Sequence, residues 1–196
     1  MRRIIVATNN SDKVNEICAA MKGMPYEATG MKDLGIDLKA DESGSTFIEN
    51  AMIKAKALFE RTGGYVLADD SGLCVDALGG EPGIYSSRFF GEDTSYPQKF
   101  TELSRLLQDV PLQERTAHFV CAMVLLRDDA EPIIVEERMD GILFNTGFGE
   151  NGFGYDPIFY VPELGRTAAE LTPREKLSVS HRGKAIRSVL RQLSAQ

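Results

Sequence analysis

Thr46-Phe47-Ile48-Glu49-Asn50-Ala51-Met52-Ile53-Lys54-Ala55-Lys56-Ala57-Leu58-Phe59-Glu60-Arg61-Thr62-Gly63-Gly64-Tyr65-Val66-Leu67-Ala68-Asp69-Asp70-Ser71-Gly72 is the stretch on which the fold turns. Thr46 and Glu49 form a capping box. Ile48, Ala51, Met52, Ala55 and Phe59 then fall on one helical face, and Gly63-Gly64 stops the helix. The apolar run Tyr65 to Ala68 predicts a short strand that ends at the acidic pair Asp69-Asp70. A helix followed directly by a buried strand with polar residues at its end is the signature of α/β architecture, in which strand ends commonly form sites.

The same order appears at the start of the chain. Arg2 to Ala7 reads as a buried strand, and Val14, Ile17, Cys18 and Met21 give the i, i+3, i+4, i+7 stripe of a helix. Pro97 with Phe100, Leu103, Leu106 and Leu107 predicts a third helix finishing near Val110-Pro111. Thr116 to Leu126 and Ile133 to Arg138 read as strands of an antiparallel hairpin, joined by Asp128-Asp129-Ala130-Glu131-Pro132. Ile186, Val189, Leu190 and Leu193 stripe a last helix after Gly183. The expected fold is α/β, an elongated mixed β-sheet flanked by helices in two lobes with a central cleft, and residues 1–196 read as one such domain, without repeats or linkers.

The 196 residues bury roughly 70% of their unfolded surface on folding, enough for a real core. Hydrophobic residues make up 43%, charged residues 26% and aromatics 8%, which excludes disordered, collagen-like and coiled-coil classes. A net charge of −7 disfavours non-specific nucleic-acid binding and anionic bilayers. The longest apolar run, Phe119 to Leu126, falls far short of the roughly 20 residues a membrane span needs, and no signal peptide follows Arg2-Arg3, so a cytoplasmic location is expected. Cys18, Cys74 and Cys121 form no C-x-x-C and read as small core residues.

Four polar clusters carry candidate chemistry. Thr8-Asn9-Asn10-Ser11-Asp12-Lys13, between the first strand and helix, offers free N–H groups, short polar side chains and a lysine one turn in, as a phosphate cradle would. The alternative is ordinary capping by Asn10 or Ser11 with a solvated Lys13. Asp69-Asp70 interrupts an apolar stretch, and a buried uncompensated carboxylate costs several kcal/mol, so a cation is implied. Mg²⁺ suits two carboxylates plus water and phosphate, and the loop Asp41-Glu42-Ser43-Gly44 offers another ligand or is simply solvated. An Asx-turn at Asp69-Asp70 explains one aspartate better than two.

Gly147 to Pro157 holds four glycines within eight residues with interleaved aromatics. Either the backbone approaches a ligand closely and Phe153 stacks on a base, or this is a tight surface turn with its rings in the core. Lys176-Leu177-Ser178-Val179-Ser180-His181-Arg182-Gly183-Lys184 is the densest basic patch and points either to an anionic ligand or to a solvated helix start. His118, inside an apolar strand, reads as structural, and no G-x-S-x-G elbow supports a Ser-His-Asp triad. Together the clusters supply the parts that a magnesium-bound nucleoside polyphosphate needs.

In this order the clusters resemble the inosine triphosphate pyrophosphatase family, also called dITP/XTP pyrophosphatases. The matching residues are Thr8-x-Asn10-x-x-Lys13, Thr46-Phe47-x-Glu49-Asn50-Ala51, Ala68-Asp69-Asp70-Ser71-Gly72-Leu73, Asp76-x-Leu78-Gly79-Gly80-x-Pro82-Gly83-x-Tyr85-Ser86-x-Arg88, Gly152-Phe153-Gly154-Tyr155-Asp156-Pro157, Ala169-Glu170-Leu171 and Ser180-His181-Arg182. The resemblance implies Mg²⁺-dependent hydrolysis of ITP, dITP and XTP to the monophosphate and pyrophosphate, removing them from the nucleotide pool, by a homodimer. It makes Asp70 the catalytic residue and a metal ligand, with Asp41, or its neighbour Glu42, as the second ligand. Thr8, Asn9, Asn10, Ser11, Asp12 and Lys13 would hold the triphosphate with Ser71 assisting. Phe153, Gly154, Tyr155, Asp156, Lys176, His181 and Arg182 would contact the nucleotide, the last two near the base.

Either Asp70 or Glu49 can orient the attacking water, and only the resemblance selects Asp70. A donor such as Arg182 facing the purine 6-position would accept a carbonyl and leave an adenine amino group unpaired. How guanine is rejected is not legible in the residues. Two rivals stand beside this reading. An aspartyl-phosphate phosphatase is disfavoured because adjacent strand residues point oppositely. A nucleotide-binding sensor without turnover would retain its nucleotide.

Overall fold

The computed structural model describes residues 2–195. The elements that place the site are β1 (Arg2–Val6), α1 (Ser11–Met21), β2 (Tyr26–Gly30), α2 (Phe47–Thr62) and β3 (Tyr65–Val75). They are followed by α3 (Tyr96–Leu106), β4 (Thr116–Arg127), β5 (Ala130–Leu143), β6 (Phe159–Val161), β7 (Arg166–Thr167), α4 (Pro173–Val179) and α5 (His181–Ser194). Among the described residues the strands form a seven-stranded sheet in the order β2-β1-β3-β4-β5-β6-β7. β1 runs parallel to β2 and β3, whereas β5-β6 and β6-β7 are antiparallel, so the sheet is mixed and the fold is α/β, as expected. No described helix is long and apolar enough to cross a membrane.

The chain divides into two compact units. One comprises the chain up to Asp70, Cys121–Glu137 and the chain from His181; the other comprises Ser71–Val120 and Arg138–Ser180. In the first unit the strands alternate their side chains between two apolar clusters. Ile4, Val6, Leu67, Cys121, Met123 and Leu125 pack with Ile17 and Met21 of α1 and with Ile186, Val189 and Leu190 of α5. Their neighbours Val66, Ala68, Ala122, Val124 and Leu126 pack with Ala51, Ala55 and Leu58 of α2. The second unit has its own core, in which Leu103 and Leu107 meet Leu73, Phe119, Tyr155, Phe159 and Leu171.

Helix boundaries follow the local signals. Thr46 caps α2 by accepting from the Glu49 N–H, and Gly63 closes it at φ +57 with its N–H on the Phe59 carbonyl. Several expectations change. β3 does not stop at Ala68 but continues through Asp69-Asp70 to Val75, because each aspartate finds a cation on its own face of the strand. The predicted five-residue connection of the hairpin is shorter, since β5 already begins at Ala130; Asp128 in that turn accepts the Gly64 N–H at 2.7 Å and ties it to the α2–β3 connection. Leu106 of α3 is 40% exposed and leaves the apolar stripe. α5 begins at His181, so Gly183 lies inside its first turn, and the segment before it is a separate helix, α4, with a Thr172/Glu175 capping box. All three cysteines are free thiols, Cys74 and Cys121 buried and Cys18 partly so.

Candidate functional site

The first unit gathers its charged residues on β3, α1, α2 and α5. Because Asp69 and Asp70 are consecutive in an extended strand, their carboxylates leave on opposite faces. Asp69 follows Leu67 towards α1 and α5 and is fully buried. Its Oδ2 lies 2.9 Å from Lys13 Nζ and 3.3 Å from Arg182 Nη2, while Arg182 Nη1 reaches Glu16 Oε2 at 2.5 Å. Burial alone would raise the Asp69 pKa, but the charges of Lys13, Arg182 and Lys54 prevail and hold its carboxyl well below the usual carboxylate range.

Asp70 follows Ala68 towards α2. Its Oδ1 accepts from Lys54 Nζ at 2.8 Å and its Oδ2 from Asn50 Nδ2 at 3.3 Å. The same Lys54 ammonium lies 3.1 Å from Glu42 Oε1. Burial raises the Asp70 pKa and outweighs the opposing charges of Lys54 and Lys13, with Glu42 adding to the rise. Lys54 is pushed upward in turn, since Asp70, Asp69 and Glu42 overcome the cost of its own burial. The two adjacent carboxyls are thus shifted in opposite directions, Asp69 downward by its cations and Asp70 upward by burial.

The second unit holds a different cluster. Lys176 of α4, 5% exposed, puts its Nζ 2.6 Å from Asp156 Oδ2 and 4.8 Å from the Phe153 ring centroid. Asp156 also accepts the Phe153 N–H at 2.8 Å. Gly152 permits this closure: its φ is +75, and a Cβ there would sit 2.1 Å from Asp156 Oδ2. Tyr96 of α3 meets Tyr155 edge-on at 5.2 Å, and burial together with the Asp156 charge raises the Tyr96 phenol pKa. The glycine-rich segment therefore approaches its own chain rather than leaving a bare backbone. Gly149 does the same at φ +85, where a Cβ would meet the Ala169 carbonyl carbon at 2.3 Å.

Measured against the sequence, the placements are mixed. Asn10 caps α1, its Oδ1 accepting from the Asp12 and Lys13 N–H groups. Capping is thus the correct local reading, yet Lys13 is ion-paired rather than solvated. Thr8 accepts the Asn10 N–H, Asn9 donates to the Leu38 carbonyl, and Ser11 and Asp12 are exposed at the helix start. Ser71 is half-buried beside Asp70 on β3, and Gly154 and Tyr155 lie on the Phe153 loop, Tyr155 in the core.

It is Glu42, not the exposed Asp41, that shares Lys54 with Asp70. Glu49 is held by the Ser45 N–H and hydroxyl, both at 2.7 Å, which lowers its pKa. His181 and Arg182 are buried in the first turn of α5, so the solvated reading of that patch fails. The Arg182 guanidinium pairs with Asp69 and Glu16 in a buried ion network. His118 stands 3.5 Å from Asp76 on β4, away from any of these clusters in sequence.

Sequence reasoning missed Lys54 and overlooked Asn50 as a partner of Asp70. Their signal was present: both are polar, four residues apart on α2, and so share a face beside the Ala51/Ala55 stripe. Among the described residues no three His, Cys, Asp or Glu side chains form a metal-holding group. The pair Asp70 and Glu42 nonetheless converge on a single cation, and two carboxylates are what Mg²⁺ typically takes from protein before completing its shell with water and phosphate. The donor set therefore fits that ion.

The comparisons with known proteins agree on one family. Residues 4–192 match the Ham1 family. A dITP/XTP pyrophosphatase of Pectobacterium atrosepticum is 46% identical over 192 residues, covering 97% of each chain, and one of Shigella flexneri is 45% identical over the same coverage. Among solved structures, the Ham1 protein of Staphylococcus aureus superposes with TM-score 0.87 at 39% identity over 99% of each chain. A HAM1 protein from Coxiella burnetii does so with TM-score 0.89 at 37% identity over 100% of each. By residues matched, identity and fold, the chain belongs to the Ham1 family.

Proposed function

We propose that this chain is a nucleoside triphosphate diphosphatase that hydrolyses non-standard purine nucleotides, ITP, dITP and XTP, to the monophosphate and pyrophosphate, and so removes them from the nucleotide pool. The observation that carries the reading is the convergence of Asp70 and Glu42 on the one ammonium of Lys54, beside the Lys13–Asp69 pair. It occurs in a chain whose relatives bear the name dITP/XTP pyrophosphatase.

Hydrolysis at the α-phosphorus needs an activated water and neutralisation of the charge that collects on pyrophosphate. Asp70 takes the water's proton, the role the resemblance gives it; its carboxylate is held by Lys54 and Asn50, with Glu42 on the same ammonium. Lys13 and Lys54 supply positive charge to phosphate oxygens. Asp69, fully ionised and buried, fixes Lys13 and is in turn fixed by Arg182. Asp70 and Glu42 are the residues that would hold Mg²⁺, which when bound polarises a phosphoryl oxygen and lowers the pKa of bound water.

In the second unit, Phe153 offers a ring for stacking, and the Lys176–Asp156 pair offers a donor and an acceptor to a purine edge. A homodimer and a cytoplasmic location, implied by the resemblance, complete the proposal. An aspartyl-phosphate mechanism is disfavoured because Asp69 is sealed among cations and points away from Asp70.

The test is product analysis on ITP with Mg²⁺ for the wild type and Asp70→Asn. The proposal expects IMP and pyrophosphate from the wild type and no turnover from the variant. Orthophosphate, a trapped phosphoenzyme, retained ITP or near-normal turnover by Asp70→Asn would overturn it.

A further inference from the structure

The segment Pro82-Gly83-x-Tyr85-Ser86-x-Arg88 stands out in the sequence, yet nothing in the proposed chemistry uses it. In the second unit it meets Lys99, a lysine of α3 that is only 1% exposed. Lys99 Nζ donates to the Ser87 carbonyl and stands 5.1 Å from the Tyr96 ring centroid. Among the described residues no carboxylate pairs with it, and burial alone lowers its pKa. Burying an ammonium against one carbonyl and one ring is costly, so what it holds should matter.

Both partners lead to the same place. Ser86, next to Ser87, accepts the Tyr155 hydroxyl on its carbonyl at 2.8 Å, and its own hydroxyl ties the Gly83 carbonyl at 2.6 Å and the Leu73 N–H at 2.8 Å. Tyr96 packs edge-on against Tyr155 and lies where a Cβ on Gly154 would come within 3.6 Å of its hydroxyl. One ammonium thereby grips two supports of Tyr155, a ring rooted in the loop that carries Phe153 and Asp156.

We infer that Lys99 is a positioning residue for nucleotide binding, holding Tyr155 and the 152–156 loop through the Tyr96 ring and the Ser86-Ser87 backbone. The inference rests on the reading of that loop as the base-binding element. Met at position 99 keeps an unbranched apolar stem one atom shorter and removes both attachments, whereas Arg keeps a donor and a cation. Asp70, Glu42 and Lys54 belong to the other unit, so loss of Lys99 should weaken binding and spare the chemical step.

Steady-state kinetics on ITP tests this. Lys99→Met should raise KM about tenfold, the scale of one charge-assisted hydrogen bond, with kcat within about twofold. Lys99→Arg should recover part of the loss. Tyr155→Phe, which deletes only the hydrogen bond to Ser86, should also raise KM, and the double variant should lose less than the product of the two single effects.

An unchanged KM, a fall confined to kcat, or fully multiplicative losses would overturn the inference. Should Lys99→Met not fold, Lys99→Arg combined with Tyr155→Phe runs the same cycle. Phe153→Ala separates the two claims: if it leaves KM unchanged, the base-binding reading fails, and if it raises KM while Lys99→Met does not, only the role of Lys99 fails.

Discussion

Replacing Asp69 and Asp70 one at a time by asparagine should give opposite phenotypes from neighbouring positions. Asp69→Asn removes the carboxylate charge that Lys13 meets at 2.9 Å and Arg182 at 3.3 Å, while Arg182, 2% exposed, keeps its pair with Glu16. Taking one partner from a buried ion network costs about 3–5 kcal/mol. For a protein of this size each kcal/mol moves Tm by about 2–4 °C, so a fall of roughly 6–20 °C is expected. The sign with pH follows from the depressed Asp69 pKa. A carboxyl held below its ordinary value of 3.8 contributes stability that is fully present above that value and is lost only as pH falls beneath it. The gap between wild type and Asp69→Asn should therefore be constant between about pH 5 and 8.

Asp70→Asn differs because burial works against the Asp70 charge and Lys54 keeps Glu42 at 3.1 Å. Its stability should change by less than about 1.5 kcal/mol while turnover is lost. Thermal melts followed by circular dichroism, beside ITP turnover, decide the matter. A Tm within about 2 °C of wild type for Asp69→Asn, or an equal loss for both variants, would refute the division of roles.

Two further outcomes are expected. Glu42→Gln should raise the Mg²⁺ concentration needed for half-maximal ITP hydrolysis, whereas Asp41→Asn should not; equal shifts in a Mg²⁺ titration would remove Glu42 from the second ligand position. Glu175, which caps α4 and pairs with Arg166 at 2.8 Å, has a pKa lowered to about 2, first by the Arg166 hydrogen bond and then by those from Thr172. Its contribution is present above 4.5 and lost as pH falls towards about 2, so the Tm difference between wild type and Glu175→Gln should shrink across that window. A difference that persists at the acid end would contradict this cause.

What was legible in the chain was what depends on near neighbours. The Thr46/Glu49 box, the Gly63-Gly64 stop and the stripes of α1 and α2 are set within one or two turns, and the structure has them where the pattern puts them. The pattern ends β3 at Ala68 because carboxylates disfavour strand interiors unless compensated, and the compensating groups come from afar: Arg182 is 113 residues from Asp69, and Lys54 is 16 from Asp70.

The same distance hides the pairing of Arg182 with Glu16 and Asp69, which no local pattern signals. β2 and β7 are short and largely polar, and β6 is apolar but only three residues long, so none carries a period to detect. Asp70 was found because two adjacent acids in an apolar run call for a cation. Lys54 was not, because a lysine on a helix is usually solvated, and only the tertiary fold brings it to 12% exposure beside two carboxylates.

The central claim is that the Asp70/Glu42/Lys54 and Lys13/Asp69 clusters perform metal-assisted release of pyrophosphate from 6-oxopurine nucleotides. Measuring kcat/KM for ITP, XTP, dITP and ATP by pyrophosphate release, with and without Mg²⁺, addresses it most directly. The account predicts rapid release from ITP, XTP and dITP, little from ATP, and none once Mg²⁺ is removed. Equal rates on ATP, or undiminished release without a divalent cation, would contradict it.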